Sequence, residues 1–342
     1  MIQKKSTLPI LAVTLLMMAC FCSITLPEKP IPDRTLEVND EYEVLWTDDA
    51  ISGCDFDVPL VAIPGAVFFE TSTGMSLSTP LGAPRLKAVD SLTGESLWQI
   101  DPQSRAAILV AQDAILYRAV LGKNAEVTAY QADSGTLLWK TQLPPRTNMP
   151  VSMYFADNKL FVSTANDRYF VLNAQGEIIT ERNRQAKIYL EVDGILYLQG
   201  AAFKAIELAS ETELWQVHTD GYAFAPVFDT GTIFLRDGYS GLIYSIDQST
   251  GKVNWIAEQG IYSNLFVDSK RMYFIDLDGY LVSLDRDTGI ELSKVRFSVP
   301  FDLDNPRTRG VNNCITGDRA NNVLVMSFYD NKQILAVKIM KP

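Results

Sequence analysis

The chain has 342 residues, 47% of them apolar and 21% charged, enough for a large core and unlike a disordered composition. Its 30 basic and 41 acidic residues give a net charge of −11, a surface that repels phosphate backbones and argues against nucleic acid as a partner. One histidine, His218, and four cysteines leave almost nothing for a His/Cys zinc site, and no metal is expected.

In chain order, Lys4 and Lys5 precede an apolar run of 11 residues, Leu8 to Met18. The run is too short for a bilayer, which takes about 20 residues, and reads as an export signal over residues 1–19. Without it, 28 basic residues face 41 acidic ones, a net −13. Cys20 after Ala19 resembles the lipobox of bacterial lipoproteins, with Met17 where that motif usually has Leu, and Cys20 is the expected lipidation site. The other reading is an ordinary secretory signal with incidental cysteines. Cys22 fits worse, because bulky Phe21 would sit at the cleavage-facing position. Residues 20–39, with Pro27, Pro30 and Pro32, read as a semi-rigid tether, of which some 15 residues at about 3.3 Å each reach up to roughly 50 Å. No later segment is long and apolar enough to span a bilayer, so membrane contact is expected only through the N-terminal lipid.

From residue 40 onward the chain is a repeat. Ala88 to Trp98 reads A-V-D-S-L-T-G-E-S-L-W, and Ala129 to Trp139 repeats it around Ser134-Gly135. Ala205 to Trp215 carries Glu211 in the glycine position, and Ser245 to Trp255 carries Asp247, Thr250 and Gly251. Ser283 to Ser293 has Asp285, Thr288 and Gly289 but no tryptophan, and Val171 to Thr180 is a shortened copy with Asn173 and Gly176. The endpoints 98, 139, 180, 215, 255 and 293 are spaced by 41, 41, 35, 40 and 38 residues. Four of the five tryptophans fall at this position, and the fifth, Trp46, ends Tyr42-Glu43-Val44-Leu45-Trp46.

Each unit holds short alternating runs such as Leu160 to Thr164, Tyr169 to Leu172, Ile195 to Gln199, Ile233 to Arg236 and Met272 to Ile275. Turns such as Asp193-Gly194, Thr230-Gly231 and Ser269-Lys270 precede the second runs. About four strands per 40 residues, with no helical period, describe the blade of an all-β propeller. The last unit, Val323 to Phe328 and Ile334 to Ile339, lacks a Trp-bearing outer strand, and Glu43 to Trp46 is such a strand without its three partners. Joining them predicts seven four-stranded blades over residues 40–342, closed by the N-terminal strand, which removes exposed sheet edges. Asp or Asn and the Thr/Ser-Gly pair suit a tight turn, the small Ala or Ser lets sheets approach, and Trp46, Trp98, Trp139, Trp215 and Trp255 are expected to pack between blades.

Ala88-x-Asp90-x-x-Thr93-Gly94-x-x-x-Trp98 resembles the tryptophan-docking motif of the PQQ-like repeat family, and the resemblance covers roughly residues 40 to 342. One branch of that family, the quinoprotein dehydrogenases, implies pyrroloquinoline quinone, Ca²⁺ and eight blades under a disulfide of two adjacent cysteines. Here no two cysteines are adjacent, and no cofactor is expected. The other branch is similar to the lipoprotein propeller of the outer-membrane β-barrel assembly machinery, with its lipobox, tether and repeats. That branch too implies eight blades where the spacing here favours seven. The resemblance to it implies a monomeric, non-catalytic binding or scaffold module of the cell envelope, facing periplasm or exterior, with an envelope protein as partner. The alternative is a cofactor-dependent oxidoreductase working in the central funnel.

Other constellations carry less. Asp276-Leu277-Asp278-Gly279 and Asp285-Arg286-Asp287 lack EF-hand spacing and stand where turns are required. His218 reads as a solvated loop residue with no nucleophile elbow to serve. Cys54 and Cys314 stand at the entries to blades one and seven, neighbours at the closure, and are either a disulfide clasp or two buried free thiols. Two long loops, residues 70–84 with Ser72, Thr73, Met75 and Leu77, and residues 297–313 with Arg307 and Arg309, are expected on one face as a partner surface.

Overall fold

The computed structural model describes residues 40–48, 60–71, 85–102, 106–120, 125–145, 147, 150–166, 168–183, 186–219, 223–238, 240–261, 263–277, 279–296, 314–328 and 333–340. One compact unit runs from Thr35 to Pro342. The described residues are strands and turns with no helix.

Strand β1 (Tyr42–Asp48) comes first, then blade one: β2 (Leu60–Ile63), β3 (Ala66–Thr71), β4 (Arg85–Asp90) and β5 (Ser96–Ile100). Blade two is β6 (Ala106–Gln112), β7 (Ile115–Val120), β8 (Glu126–Gln131) and β9 (Leu137–Gln142). Blade three is β10 (Pro150–Ala156), β11 (Lys159–Thr164), β12 (Arg168–Leu172) and β13 (Ile178–Asn183). Blade four is β14 (Lys187–Val192), β15 (Ile195–Gln199), β16 (Phe203–Glu207) and β17 (Glu213–Val217). Blade five is β18 (Ala223–Asp229), β19 (Thr232–Asp237), β20 (Leu242–Asp247) and β21 (Val253–Glu258). Blade six is β22 (Phe266–Val267), β23 (Arg271–Ile275), β24 (Tyr280–Asp285) and β25 (Glu291–Arg296). Blade seven is β26 (Cys314–Asp318), β27 (Val323–Phe328) and β28 (Gln333–Ile339), with β1 as its outer strand.

All seven sheets are four-stranded antiparallel meanders, and the seventh takes the order β1-β28-β27-β26, so the N-terminal strand closes the ring as the sequence led us to expect. Innermost strands touch around the ring: β2 with β6, β6 with β10, β10 with β14, β18 with β22, β22 with β26, and β26 with β2. The middle strands are buried on both faces, which is why β7, β11, β19 and β27 read as nearly continuous apolar runs.

Each tryptophan of an outer strand reaches the next blade. The indole N–H groups of Trp46, Trp98, Trp139, Trp215 and Trp255 donate to the carbonyls of Ser91, Ala132, Ala174, Gln248 and Arg286, at 3.0, 2.7, 3.0, 3.1 and 3.1 Å. Each ring lies flat on the glycine of that next blade's third-to-fourth turn. A Cβ on Gly135 would meet Trp98 at 2.8 Å, and one on Gly251 would meet Trp215 at 2.6 Å. The turn itself is built by its carboxylate. Asp90 Oδ1 accepts the N–H groups of Leu92 and Thr93 at 2.9 and 2.8 Å. In the same role, hydrogen bonds from Ser249 and Thr250 hold the Asp247 carboxyl down at about 2.

This geometry explains the two repeat units that lack tryptophan. Thr180 stands opposite Val171 in the tryptophan position of blade three, and in blade four Glu211 replaces the turn glycine at φ +56°, with a Cβ of the kind that an indole strikes at the other turns. Ser293 faces blade seven, whose outer turn is replaced by two chain ends, the Met340 N–H donating to the Glu41 carbonyl at 2.8 Å. There the buried Tyr42 hydroxyl meets Ser293 Oγ at 3.3 Å, and Ser293 meets Ser283 at 2.7 Å.

The closing seam between blades seven and one is tied by Asp318. Its Oδ2 accepts the Gly65 N–H, the Ser91 hydroxyl and the Asn321 amide, each at 2.7 Å. Burial pushes this carboxyl up, but those donors together outweigh it and hold it below the usual carboxylate range. A depressed folded-state pKa gives stability that is complete above the unfolded value of about 3.9 and is lost as pH falls through the folded one. Asp318→Asn should therefore cost about 2 kcal/mol at neutral pH. The gap from wild type should close below about pH 4 in urea unfolding followed by circular dichroism; a gap unchanged at pH 3 would contradict the assignment.

Candidate functional site

The meander gives the ring two unlike faces. First-to-second and third-to-fourth strand turns share one face, and second-to-third loops share the other with the blade-to-blade connections. Thr71 pairs with Arg85 at the loop-face end of β3 and β4, so residues 72–84 leave and return there. Arg296 pairs with Tyr280 at the same end of its blade, and residues 297–313 run from there to Cys314. Ser72, Thr73, Met75, Leu77, Arg307 and Arg309 themselves lie outside the described residues, as do residues 1–39, including Cys20, and Cys54.

Two arginines fasten blade-to-blade connections on the loop face. Arg168 donates to the Pro145 carbonyl at 3.0 Å and to Thr147 Oγ1 at 2.8 Å, while its other nitrogens pair with Glu181. Arg236, buried, donates to the carbonyls of Ser263 and Ile261 at 2.9 and 3.1 Å, and burial lowers it to about 10. Second-to-third turns are tied in the same manner. Asp237 Oδ1 accepts the Ser240 N–H at 2.8 Å, and Asp276 accepts the Tyr280 N–H at 2.8 Å while pairing with Lys294 at 2.7 Å. These bonds give the face a rigid frame on which longer loops can be displayed.

Lys187, at the loop-face end of the innermost strand of blade four, stands 4.9 Å from the Tyr189 ring centre. Burial lowers its amine to about 8. Sequence reasoning missed Arg168, Arg236 and Lys187; the only signal was a basic residue at the end of an otherwise apolar strand.

The opposite face is acidic. Its turns in blades two to four carry Asp113, Asp133, Asp157, Glu177, Asp193 and Glu211, with Lys159 alone among the adjoining bases. Strand β1 starts on this face, Tyr42 opposite Ile339, so the chain enters the propeller away from the loop face.

The sequence has no adjacent cysteine pair, and among the described residues no three His, Cys, Asp or Glu side chains are grouped to hold a metal ion. Asp285 spends its Oδ1 on the N–H groups of Asp287 and Thr288, and His218 is exposed after β17. Among the described residues no helix is long and apolar enough to cross a membrane.

The chain is 23% identical over 241 residues to outer membrane protein assembly factor BamB of Moranella endobia, covering 60% of this chain and 61% of that one. Against the Yersinia pestis protein of the same name it is 22% identical over 241 residues, 60% of each chain. It thus spans about 60% of the length of these curated relatives. The fold is similar to the crystal structure of BamB from Moraxella catarrhalis, with TM-score 0.50, 14% identity and 83% of each chain covered. It is also similar to the computationally designed Ika8 protein, with TM-score 0.57, 15% identity, and 86% of this chain and 98% of that one covered. The model of the family described as outer membrane protein assembly factor BamB matches residues 83–185 and 200–294, over half the chain, and the chain belongs to that PQQ-like repeat propeller family.

Proposed function

We propose that this protein is a non-catalytic scaffold of the cell envelope, exported, lipid-anchored through Cys20 and engaged as a monomer with a protein partner in outer membrane protein assembly. The observation that carries the reading is the division of labour between the faces. The chain enters the ring on the acidic tight-turn face, and the strand ends bearing both long loops open on the other. Entry of the chain at Tyr42 on one side leaves the far side for a partner, and loops on a rigid scaffold are where binding concentrates. The relatives named as assembly factors support the same reading.

The test is photo-cross-linking in the intact envelope. A photo-reactive residue at Thr73 or Arg307 should cross-link to a component of the barrel assembly machinery, and one at Asp157 on the opposite face should not. Deleting Ser72 to Thr79 should abolish that cross-link and leave the circular dichroism spectrum of a folded propeller. Cross-links from Asp157 alone, or a deletion without effect on partner capture, would remove the loop face from the proposal.

A further inference from the structure

We infer that Lys187 is the cation of a carboxylate-binding subsite at the loop-face mouth of the seam between blades four and five, filled by one acidic group of the protein partner proposed above. The inference rests on that reading of the loop face.

The innermost strands leave room there. Among the described residues, neighbouring innermost strands meet at every other seam of the ring, and β14 and β18 are the pair that barely touch. Tyr154, from β10 of blade three, bridges the interval. Its hydroxyl donates to the Pro226 carbonyl of β18 at 2.6 Å, and its ring meets Phe228 edge-on at 5.7 Å. Tyr189 shares an apolar cluster with both rings, so the base of the interval is aromatic. On the loop face, only residues 200–202 join β15 to β16. Gln199, opposite Lys187, leads into that turn, and a Cβ on Gly200 would meet nothing within 4 Å, so the space beside it is open.

Lys187 is the only cation among the described residues of the seven innermost strands. Its ammonium has no hydrogen-bond or ion-pair partner among the described residues, only the face of Tyr189 at 4.9 Å. The other buried cations are engaged, Arg118 with Glu70 and Arg236 with the carbonyls of Ser263 and Ile261. A partly buried, unpaired ammonium is costly, and burial lowers this amine to about 8. The charged groups of the flanking strands are committed elsewhere: Asp237 accepts the Ser240 N–H, Glu191 the Tyr169 hydroxyl, Asp229 pairs with Arg286, and Lys204 with Glu213. Burial pushes the phenols of Tyr154 and Tyr189 up, so both stay neutral. One ammonium over an aromatic face balances one negative charge. A carboxylate fits it, whereas the second charge of a phosphate would be left over on a chain that already carries −11. A bound carboxylate raises the pKa of the amine, so binding is at full strength below the free midpoint of about 8 and is lost as pH rises through the bound one.

The test is carbon-13 NMR of the lysine Cε signals of the full chain, the Lys187 signal being the one missing from Lys187→Arg. Its midpoint should rise by about one pH unit with acetylglycine, a chain-terminal carboxylate, or with acetyl-aspartyl amide, a side-chain carboxylate. The larger rise identifies the source, and neutral acetylglycinamide should leave the midpoint in place. No rise with either carboxylate, or an equal rise with chloride at the same ionic strength, overturns the site. Lys187→Met should keep the stability of the protein or raise it, because the amine it removes has no partner; a marked loss would make the lysine a structural residue and overturn the site. In the envelope, Lys187→Met should reduce the cross-links from Thr73 and Arg307 roughly tenfold, and Lys187→Arg should restore most of them. Cross-links intact in Lys187→Met would strike the subsite and leave the loop-face reading standing. Their absence from the wild type would strike that reading, while the NMR midpoint still decides whether Lys187 takes a carboxylate.

Discussion

Trp215→Ala should destabilise the propeller by about 3–5 kcal/mol, the cost of emptying a buried aromatic site. Trp215 is 8% exposed, lies 5.9 Å from the rings of both Tyr197 and Phe203, and donates to the Gln248 carbonyl at 3.1 Å. It joins blade four to blade five through the face of Gly251, so the reciprocal substitution is equally informative. Gly251 at φ +70° and Gly231 at φ +76° are turn glycines of the same blade, but a Cβ on Gly251 would stand 2.6 Å from the indole, and one on Gly231 would meet nothing within 4 Å. Gly231→Ala should thus cost only the left-handed backbone penalty, about 1–2 kcal/mol. Gly251→Ala should cost that and the displacement of the ring, about 3 kcal/mol or more. Equilibrium unfolding in guanidinium, followed by circular dichroism and tryptophan fluorescence, measures all three. Equal losses at Gly251 and Gly231 would show that the indole contact carries no weight. In Trp215→Ala, Gly251→Ala should become as mild as Gly231→Ala, since the clashing ring is gone.

The second large effect is expected at Glu70 and Arg118, on the second strands of blades one and two. Both side chains are 2% exposed, and Arg118 Nε donates to Glu70 Oε1 at 2.5 Å. The attraction of such a pair roughly repays its desolvation, so its presence is not itself a large stabilisation, whereas removing one partner strands a charge in the core. Glu70→Met or Arg118→Met alone should each cost about 3–5 kcal/mol, and the double substitution should recover most of that loss. The coupling comes from a double-mutant cycle in equilibrium unfolding, with Arg85→Met as the comparison. Arg85 faces Asp101 at 3.6 Å with the two side chains 51% and 64% exposed, and screening should leave that substitution within about 0.5 kcal/mol of wild type. A single-site loss below about 1 kcal/mol at Arg118 would mean that water reaches the pair.

These two sites also show where reading the sequence stops. The motif Ala88 to Trp98 exposes each blade's last two strands and their turn, because its contacts lie within a dozen residues. Ala88 pairs with Trp98 and Asp90 caps the turn between them. What Trp98 packs against, the Gly135 turn of the next blade, is set by ring curvature and leaves no local trace. The replacements at Thr180 and Glu211 read as decay of two separate repeats. In the structure they fall at the tryptophan position of blade three and the glycine position of blade four, consecutive blades, and Glu211 at φ +56° carries a Cβ where the other turns leave room for an indole. Glu70 and Arg118, 48 residues apart in buried strands, look like breaks in two apolar runs, and only the stacking of blades one and two makes them a pair. Loop lengths and strand order were legible, and the described strand ends that flank both long segments, Thr71 with Arg85 and Arg296 with Tyr280, stand at the same end of their blades. The arginine clamps at Arg168 and Arg236 were not legible, because a lone cation at a strand end carries no pattern.

The class of the fold and the number of its repeats were readable from the residue pattern alone. Alternation, turn residues and tryptophan spacing act over short separations, and the broken last unit required an N-terminal strand to finish it. Which turn each tryptophan meets on the next blade, which charges are paired in the core, and which face the chain enters emerge only when the ring closes. Those depend on the angle between neighbouring sheets, a property of the closed ring that no single blade's sequence contains.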